Sequence, residues 1–280
     1  MLTNKKIGFI GVGNMGQALM KGLLKKGIIA SENIIISDLD EKKLQAISFE
    51  LQVVIARDNR EAVEKADILI LSVKPKDIET VLRGISASLA DLSGSKPLPL
   101  IISIAAGIPT AYIEEHLGKD IPVVRVMPNT PALIGEGMTA ISRGRFAGEE
   151  EERTAEDIFQ GVGETVRVRE ELMDAVTAVS GSGPAYVFAI MESLVKAGVR
   201  EGLSPDLAQK LVRETFLGAV RMARETGESL SALRERVTSP GGTTEAALGV
   251  FKEKGLEGVL AAGVRAAARR AKELKREGTK

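Results

Sequence analysis

Ile7-Gly8-Phe9-Ile10-Gly11-Val12-Gly13-Asn14-Met15-Gly16 is a short apolar run that passes straight into a G-x-G-x-x-G turn, and Leu19, Leu23 and Leu24 then follow with helical spacing. A strand, a glycine turn and a helix in that order form the context in which the glycine spacing has a mechanism. Gly11 permits the tight turn, Gly13 lets the backbone come close to a pyrophosphate, and Gly16 lets helix and strand pack closely. The free N–H groups and positive dipole end at the helix start stabilise the phosphate charge. Val12, Asn14 and Met15 complete the same turn, so Gly11 to Gly16 is read as a dinucleotide cofactor site.

Outward from this unit, short β-branched runs recur at 7–10, 33–37, 53–55, 68–73, 100–105, 123–127, 138–141 and 165–168, separated by helical patterns. Runs such as Ile68-Leu69-Ile70-Leu71 are apolar at every position, as strands buried on both faces require. Strand–helix alternation predicts a parallel sheet covered on both sides. Beyond Arg169 the period becomes 3.6: Leu207, Leu211, Val212, Phe216, Ala219, Val220 and Ala223 share one face, opened by Ser204 as N-cap with Pro205 in the first turn. Leu256, Val259, Leu260, Gly263, Val264, Ala267 and Ala271 make a second stripe. The chain is therefore read as an α/β Rossmann-like domain over 1–168 and an all-α domain over 169–280.

Residues 184–199 are apolar round most of a helix, with Glu192 and Lys196 spaced as an i,i+4 pair. Such a helix must be buried, and a helical domain of about 110 residues has little interior to offer. The sequence thus predicts that the helical part packs against a second subunit. The basic stretch from Arg269 is a solvated helix end favoured by the macrodipole.

Composition narrows the chemistry. Of 280 residues 44% are hydrophobic, enough for a full core, and 38 basic residues balance 38 acidic ones. No basic stripe with interleaved aromatics points to nucleic acid. Cysteine is absent and His116 is the single histidine, which leaves almost no material for a metal site, a thiolate nucleophile or a Ser-His-Asp triad. No apolar stretch reaches the 18 or so residues of a membrane span, and Met-Leu-Thr-Asn-Lys-Lys leads into the first strand without a signal-peptide core. The expected compartment is the cytoplasm, with no membrane partner.

Further candidates follow the strands. Asp38 closes the second run, further from the glycine turn than the usual 20 or so residues, where a carboxylate accepts from adenine-ribose hydroxyls and repels a 2′-phosphate. It favours NADH over NADPH, with Lys42, Lys43 and Arg57 as opposing cations, and a helix cap for the pattern from Glu41 is its structural alternative. Ser72-Val73-Lys74-Pro75 ends the fourth run and should border the nicotinamide half of the cofactor. Lys74 there reads as a solvated loop lysine in preference to a catalytic acid. Arg125-Val126-Met127-Pro128-Asn129-Thr130-Pro131 follows the sixth run, and its prolines set a rigid turn from which Asn129 either faces the cofactor or braces the loop. Near the far end, Ser239-Pro240-Gly241-Gly242-Thr243-Thr244 meets the helical pattern Glu245-Ala246-Ala247-Leu248. Successive N–H groups at such a junction form a concavity for a carboxylate, and a plain helix cap is the alternative.

Taken in order, Gly-Val-Gly-Asn-Met-Gly, Asp58-Asn59-Arg60-Glu61, Val-Lys-Pro, Met-Pro-Asn-Thr-Pro, Ser180-Gly181-Ser182-Gly183-Pro184-Ala185-Tyr186 and Ser-Pro-Gly-Gly-Thr-Thr resemble pyrroline-5-carboxylate reductase along essentially the whole chain. The resemblance implies reduction of the cyclic imine Δ1-pyrroline-5-carboxylate to L-proline by NADH or NADPH, the last step of proline biosynthesis. It also implies a helical domain that interlocks two subunits into a homodimer, often with dimers assembled into a ring. Carried over by motif, Asn59 lies near the cofactor ribose, and Val73, Lys74 and Pro75 near the ribose and nicotinamide. Ser239, Gly241, Gly242, Thr243 and Thr244 hold the substrate carboxylate, with Thr244 also close to the ring nitrogen and the candidate catalytic residue. Many members carry Ser, Asn or Arg where this chain has Asp38. Two other readings share the plan: a related cyclic-imine or hydroxyacid oxidoreductase, and a non-catalytic nucleotide sensor, which would have no use for the second anion site.

Overall fold

The computed structural model describes residues 2, 4–92, 97–118 and 120–277. Its first part runs β1 (Ile7–Ile10), α1 (Asn14–Lys25), β2 (Ile34–Ser37), α2 (Glu41–Leu51), β3 (Val54–Ile55), α3 (Asn59–Lys65), β4 (Ile68–Leu71), α4 (Ile78–Leu92), β5 (Leu100–Ser103), α5 (Thr110–Leu117), β6 (Val123–Met127), β7 (Gly137–Arg143), α6 (Glu149–Phe159) and β8 (Gly163–Arg167). The eight strands form one sheet in the order β3-β2-β1-β4-β5-β6-β7-β8.

Strands β1 to β6 are parallel, each joined to the next through a helix, as the alternation implies. The parallel expectation fails at β7, which runs antiparallel to β6, with β8 parallel to β7. The reason is the link: only a 3-10 turn, Thr130–Ile134, joins β6 to β7, too short for a crossover. Chain order reverses at β1, with β2 on one side and β4 on the other. The crevice beyond the carboxyl ends of β1 and β4 is therefore the topological switch point, where open α/β sheets bind their ligands.

Side chains alternate across the sheet with period two. Ile7, Phe9, Ile68 and Ile70 join Leu19, Met20, Leu23 and Phe159 on one face. Ile10, Leu69 and Leu71 join Ile85, Leu89 and Ile113 on the other. Every residue of β1, β2, β4 and β5 is buried, which is what the unbroken apolar runs signalled.

After β8 the chain forms α7 (Met173–Val176), a π-helical turn at Thr177–Gly181, α8 (Gly183–Arg200), α9 (Pro205–Thr226), α10 (Leu230–Arg236), α11 (Thr243–Glu253) and α12 (Leu256–Glu277). Two compact units result, Met1–Ser182 with Ala266–Lys280, and Gly183–Arg265. In the second, α8 packs on α9, whose N-cap Ser204 accepts from the Leu207 N–H, and Glu192 and Lys196 form their ion pair at 2.7 Å. Helix α8 has no buried residue in the single chain, and Phe188, Val220 and Val259 are 63%, 64% and 66% exposed. Among the described residues no helix is long and apolar enough to cross a membrane.

Candidate active site

The glycine turn is built by contacts that distinguish its three glycines. Gly11 has φ +92°, and a Cβ there would stand 2.8 Å from the Ser72 carbonyl oxygen. A Cβ on Gly16 would lie 3.0 Å from both the Gly11 oxygen and Ser72 Oγ. Both are demanded by the fold. Gly13 is different: it is the N-cap of α1 in an extended conformation any residue adopts, and a Cβ there would meet nothing within 4 Å. No side chain caps α1 and its first turn holds no acidic residue, so its leading N–H groups have neither an intrahelical acceptor nor a side-chain cap.

Around this turn the strand ends converge. The Gly11 N–H donates to the Ser37 carbonyl at 2.8 Å, and Ser72 Oγ donates to the Gly11 oxygen, tying β2, β1 and β4 together. Asp38, half-buried, accepts from the Val12 N–H at 2.8 Å and from the Asp40 N–H at 3.0 Å. It is not the helix cap; that is Asp40, which accepts from the Lys43 N–H at 3.1 Å. Asn59, the first residue of α3, takes a hydrogen bond from Ser37 Oγ on its Oδ1 at 2.7 Å, which directs its amide donor elsewhere. Arg57 does not stand as a free phosphate partner, since its backbone N–H and Nε donate to Glu61 at 2.7 and 3.1 Å. The Lys65 ammonium at 2.8 Å and Arg57 together lower the Glu61 carboxyl from 4.5 to about 2.

Val73 packs against the core, whereas Lys74 is exposed at the head of a single 3-10 turn, Pro75–Asp77. Asn129 uses both ends of its amide internally: Oδ1 accepts from the Met138 N–H at 2.9 Å and Nδ2 donates to the Ser180 carbonyl at 3.3 Å. It braces the start of β7 against the π-helical turn, onto which Ser180 and Gly181 of the Ser-Gly-Ser-Gly motif map. His116 is structural, its Nδ1 2.8 Å from the Tyr112 carbonyl and its ring 4.0 Å from that tyrosine. Among the described residues no group of three or more Asp, Glu or His is placed to hold a metal ion.

In the helical unit, Ser239 to Thr244 form the lead into α11. Gly241 has φ +71°, the Gly242 N–H donates to the Ser239 carbonyl at 3.0 Å, and Gly242 is the N-cap, without a side-chain cap. Thr243 and Thr244 are therefore the first two helical residues, and their N–H groups have no intrahelical acceptor. In contrast α2, α3, α9 and α10 are closed by Asp40, Asp58, Ser204 and Ser229. Two residues escaped the sequence reading. Ser37 is the only polar residue of β2, a signal that was available; Glu245, whose carboxylate accepts from the Gly241 N–H at 2.7 Å, gave none.

Residues 170–274 match the family model for pyrroline-5-carboxylate reductase dimerisation, and residues 6–107 that for NADP oxidoreductase, coenzyme F420-dependent. A pyrroline-5-carboxylate reductase of Methanosarcina acetivorans is 42% identical over 98% of this chain and 99% of its own. The structure of a pyrroline-5-carboxylate reductase from Coxiella burnetii superposes with a TM-score of 0.89 at 37% identity, covering 97% of this chain and 99% of the other. The Plasmodium falciparum pyrroline carboxylate reductase with NADP bound gives 0.85 at 33% identity, covering 97% and 98%.

Proposed function

The chain belongs to the pyrroline-5-carboxylate reductase family, and from that premise we propose that it reduces Δ1-pyrroline-5-carboxylate to L-proline, the closing step of proline biosynthesis. The observation that carries the reading is the pair of helices left open by a glycine N-cap, α1 at Gly13 and α11 at Gly242, one for a pyrophosphate and one for a carboxylate. Gly11, Val12, Gly13, Asn14, Met15 and Gly16 hold the dinucleotide backbone, and Asp38 and Asn59 its adenosine ribose. Val73, Lys74 and Pro75 border the nicotinamide end, where bound NAD(P)H supplies the hydride. Asn129 belongs to the same site as the brace of the loop after β6.

A cyclic imine asks little of the protein once its nitrogen is protonated, because the iminium carbon is already electrophilic. Positioning and charge placement dominate. Ser239, Gly241 and Gly242 form the loop of the substrate site, from which the N–H groups of Thr243 and Thr244 anchor the carboxylate. The Thr244 hydroxyl orients the ring nitrogen or relays its proton. No strong general base is needed, which fits a chain whose one histidine is bonded to a backbone carbonyl.

The enzyme is a homo-oligomer. Its smallest active form is a dimer joined through the helical part, 169–280, with the nucleotide part being 1–168, and the dimers assemble into a ring. The apolar side chains exposed on α8 and α9 in one chain support this. It works in the cytoplasm and prefers NADH, since Asp38 places a carboxylate where NADPH would bring its 2′-phosphate. The test is a panel comparing turnover of pyrroline-5-carboxylate, six-membered cyclic imines and 2-hydroxyacids. The five-membered imine should lead by at least tenfold in kcat/KM (~1.4 kcal/mol); a lead by either other class would overturn the assignment.

A further inference from the structure

We propose that Glu245 is a positioning residue of the substrate loop, acting through Gly241. This rests on the reading of Ser239 to Thr244 as the carboxylate site and adds to it the group that sets the site's shape. Glu245 is the third residue of α11, and its carboxylate accepts from the Gly241 N–H at 2.7 Å, one residue before the N-cap. In the common capping box the third-residue glutamate reaches the N-cap N–H itself, as Glu151 does at Gly148 on α6, at 2.8 Å. On α11 that N–H is already given to the Ser239 carbonyl. The glutamate therefore closes a wider ring that includes left-handed Gly241.

The consequence is a division of donors. Gly241 and Gly242 are spent on holding the turn, and the N–H groups of Thr243 and Thr244 are left to point outward. Without the clasp, only the turn bond from the Gly242 N–H to the Ser239 carbonyl is left to hold Gly241 in its left-handed conformation, and glycine enters many others. Loop disorder then weakens substrate binding while leaving the cofactor turn untouched. The part played by Glu245 is that of an acceptor, so an uncharged amide of the same length should serve.

The experiment compares Glu245→Ala with Glu245→Gln in the full-length enzyme, reading kcat and both KM values, together with hydrogen exchange at the Gly241 amide. Glu245→Ala should raise KM for pyrroline-5-carboxylate about 3- to 10-fold (~0.7 to 1.4 kcal/mol), leave kcat within about twofold and KM for NADH unchanged, and speed exchange at Gly241. Glu245→Gln should restore all of these. An unchanged substrate KM in Glu245→Ala, an equal defect in both variants, or a parallel rise in the cofactor KM would overturn the proposal. If wild-type protein fails to turn over pyrroline-5-carboxylate, the substrate reading falls, and exchange at Gly241 still decides whether the clasp exists.

Discussion

Replacing Gly13 by alanine separates the demands of the fold from those of the cofactor. The Gly13 backbone, at φ −68° and ψ −178°, suits any residue, and the new methyl meets no atom within 4 Å in the protein alone. Stability should change by no more than about 1 kcal/mol, because restriction of the unfolded chain by alanine offsets its poorer fit as an N-cap, and Tm should move by no more than about 4 °C. With the dinucleotide at the glycine turn as proposed, the same methyl would stand in the space its pyrophosphate needs. Crowding of that kind costs about 1–3 kcal/mol, which weakens cofactor binding by about 5- to 150-fold. Gly11→Ala behaves in the opposite sense. A left-handed residue costs about 1–2 kcal/mol, and its Cβ would press on the Ser72 carbonyl at 2.8 Å, so Tm should fall. Scanning calorimetry and titration calorimetry with NADH and NADPH read both effects. Wild-type cofactor affinity in Gly13→Ala, or a loss of stability matching that of Gly11→Ala, would refute the assignment of the open α1 N-terminus to the dinucleotide.

The other expectations concern separate parts of the molecule. Thr244→Ala should lower kcat/KM by about 10- to 1000-fold, or ~1.4 to 4 kcal/mol, and an unchanged value would remove Thr244 from the mechanism. Asp38→Asn keeps an acceptor for the Val12 N–H and loses the charge, so the NADPH-to-NADH ratio of kcat/KM should rise about tenfold (~1.4 kcal/mol); no change would dissociate Asp38 from cofactor choice. Glu61 is held at about 2 in place of 4.5, so its contribution to stability is complete above 4.5 and is lost as pH falls through about 2. The Tm gap between wild type and Glu61→Gln should accordingly close across that window, and a gap constant with pH would contradict the pairing. Phe188→Asp, on a face 63% exposed in the single chain, should shift sedimentation toward monomer and depress activity with it; an intact, active oligomer would place the interface elsewhere.

Much of the fold was legible because β1, β2, β4 and β5 are buried on both faces. All eight apolar runs became strands, yet Val73 and Ala105, read as strand, lie past the last residues of β4 and β5. At the carboxyl ends the backbone leaves the sheet to shape the ligand crevice, and an apolar residue there looks no different from one within the strand. The reversal at β7 was present in the sequence as a link, 128–136, with two prolines and no helical period. Gly11, Gly13 and Gly16 carry distinct roles already in the motif, and what their missing Cβ atoms would touch separates Gly11 and Gly16, which the fold requires, from Gly13, which it does not. The same holds for Asn129, whose amide is engaged by Met138 and Ser180, and for Glu245, whose partner is set by the left-handed turn at Gly241.

This chain converts a five-membered cyclic imino acid to proline at the expense of a nicotinamide cofactor. The most direct test of this conversion is oxidation of NADH and, separately, NADPH at the dinucleotide's near-ultraviolet band with DL-pyrroline-5-carboxylate, with proline quantified at the end. Proline and oxidised cofactor should form in equimolar amounts, with the larger kcat/KM for NADH. No cofactor consumption by folded, dimeric protein, or consumption without proline, would contradict it.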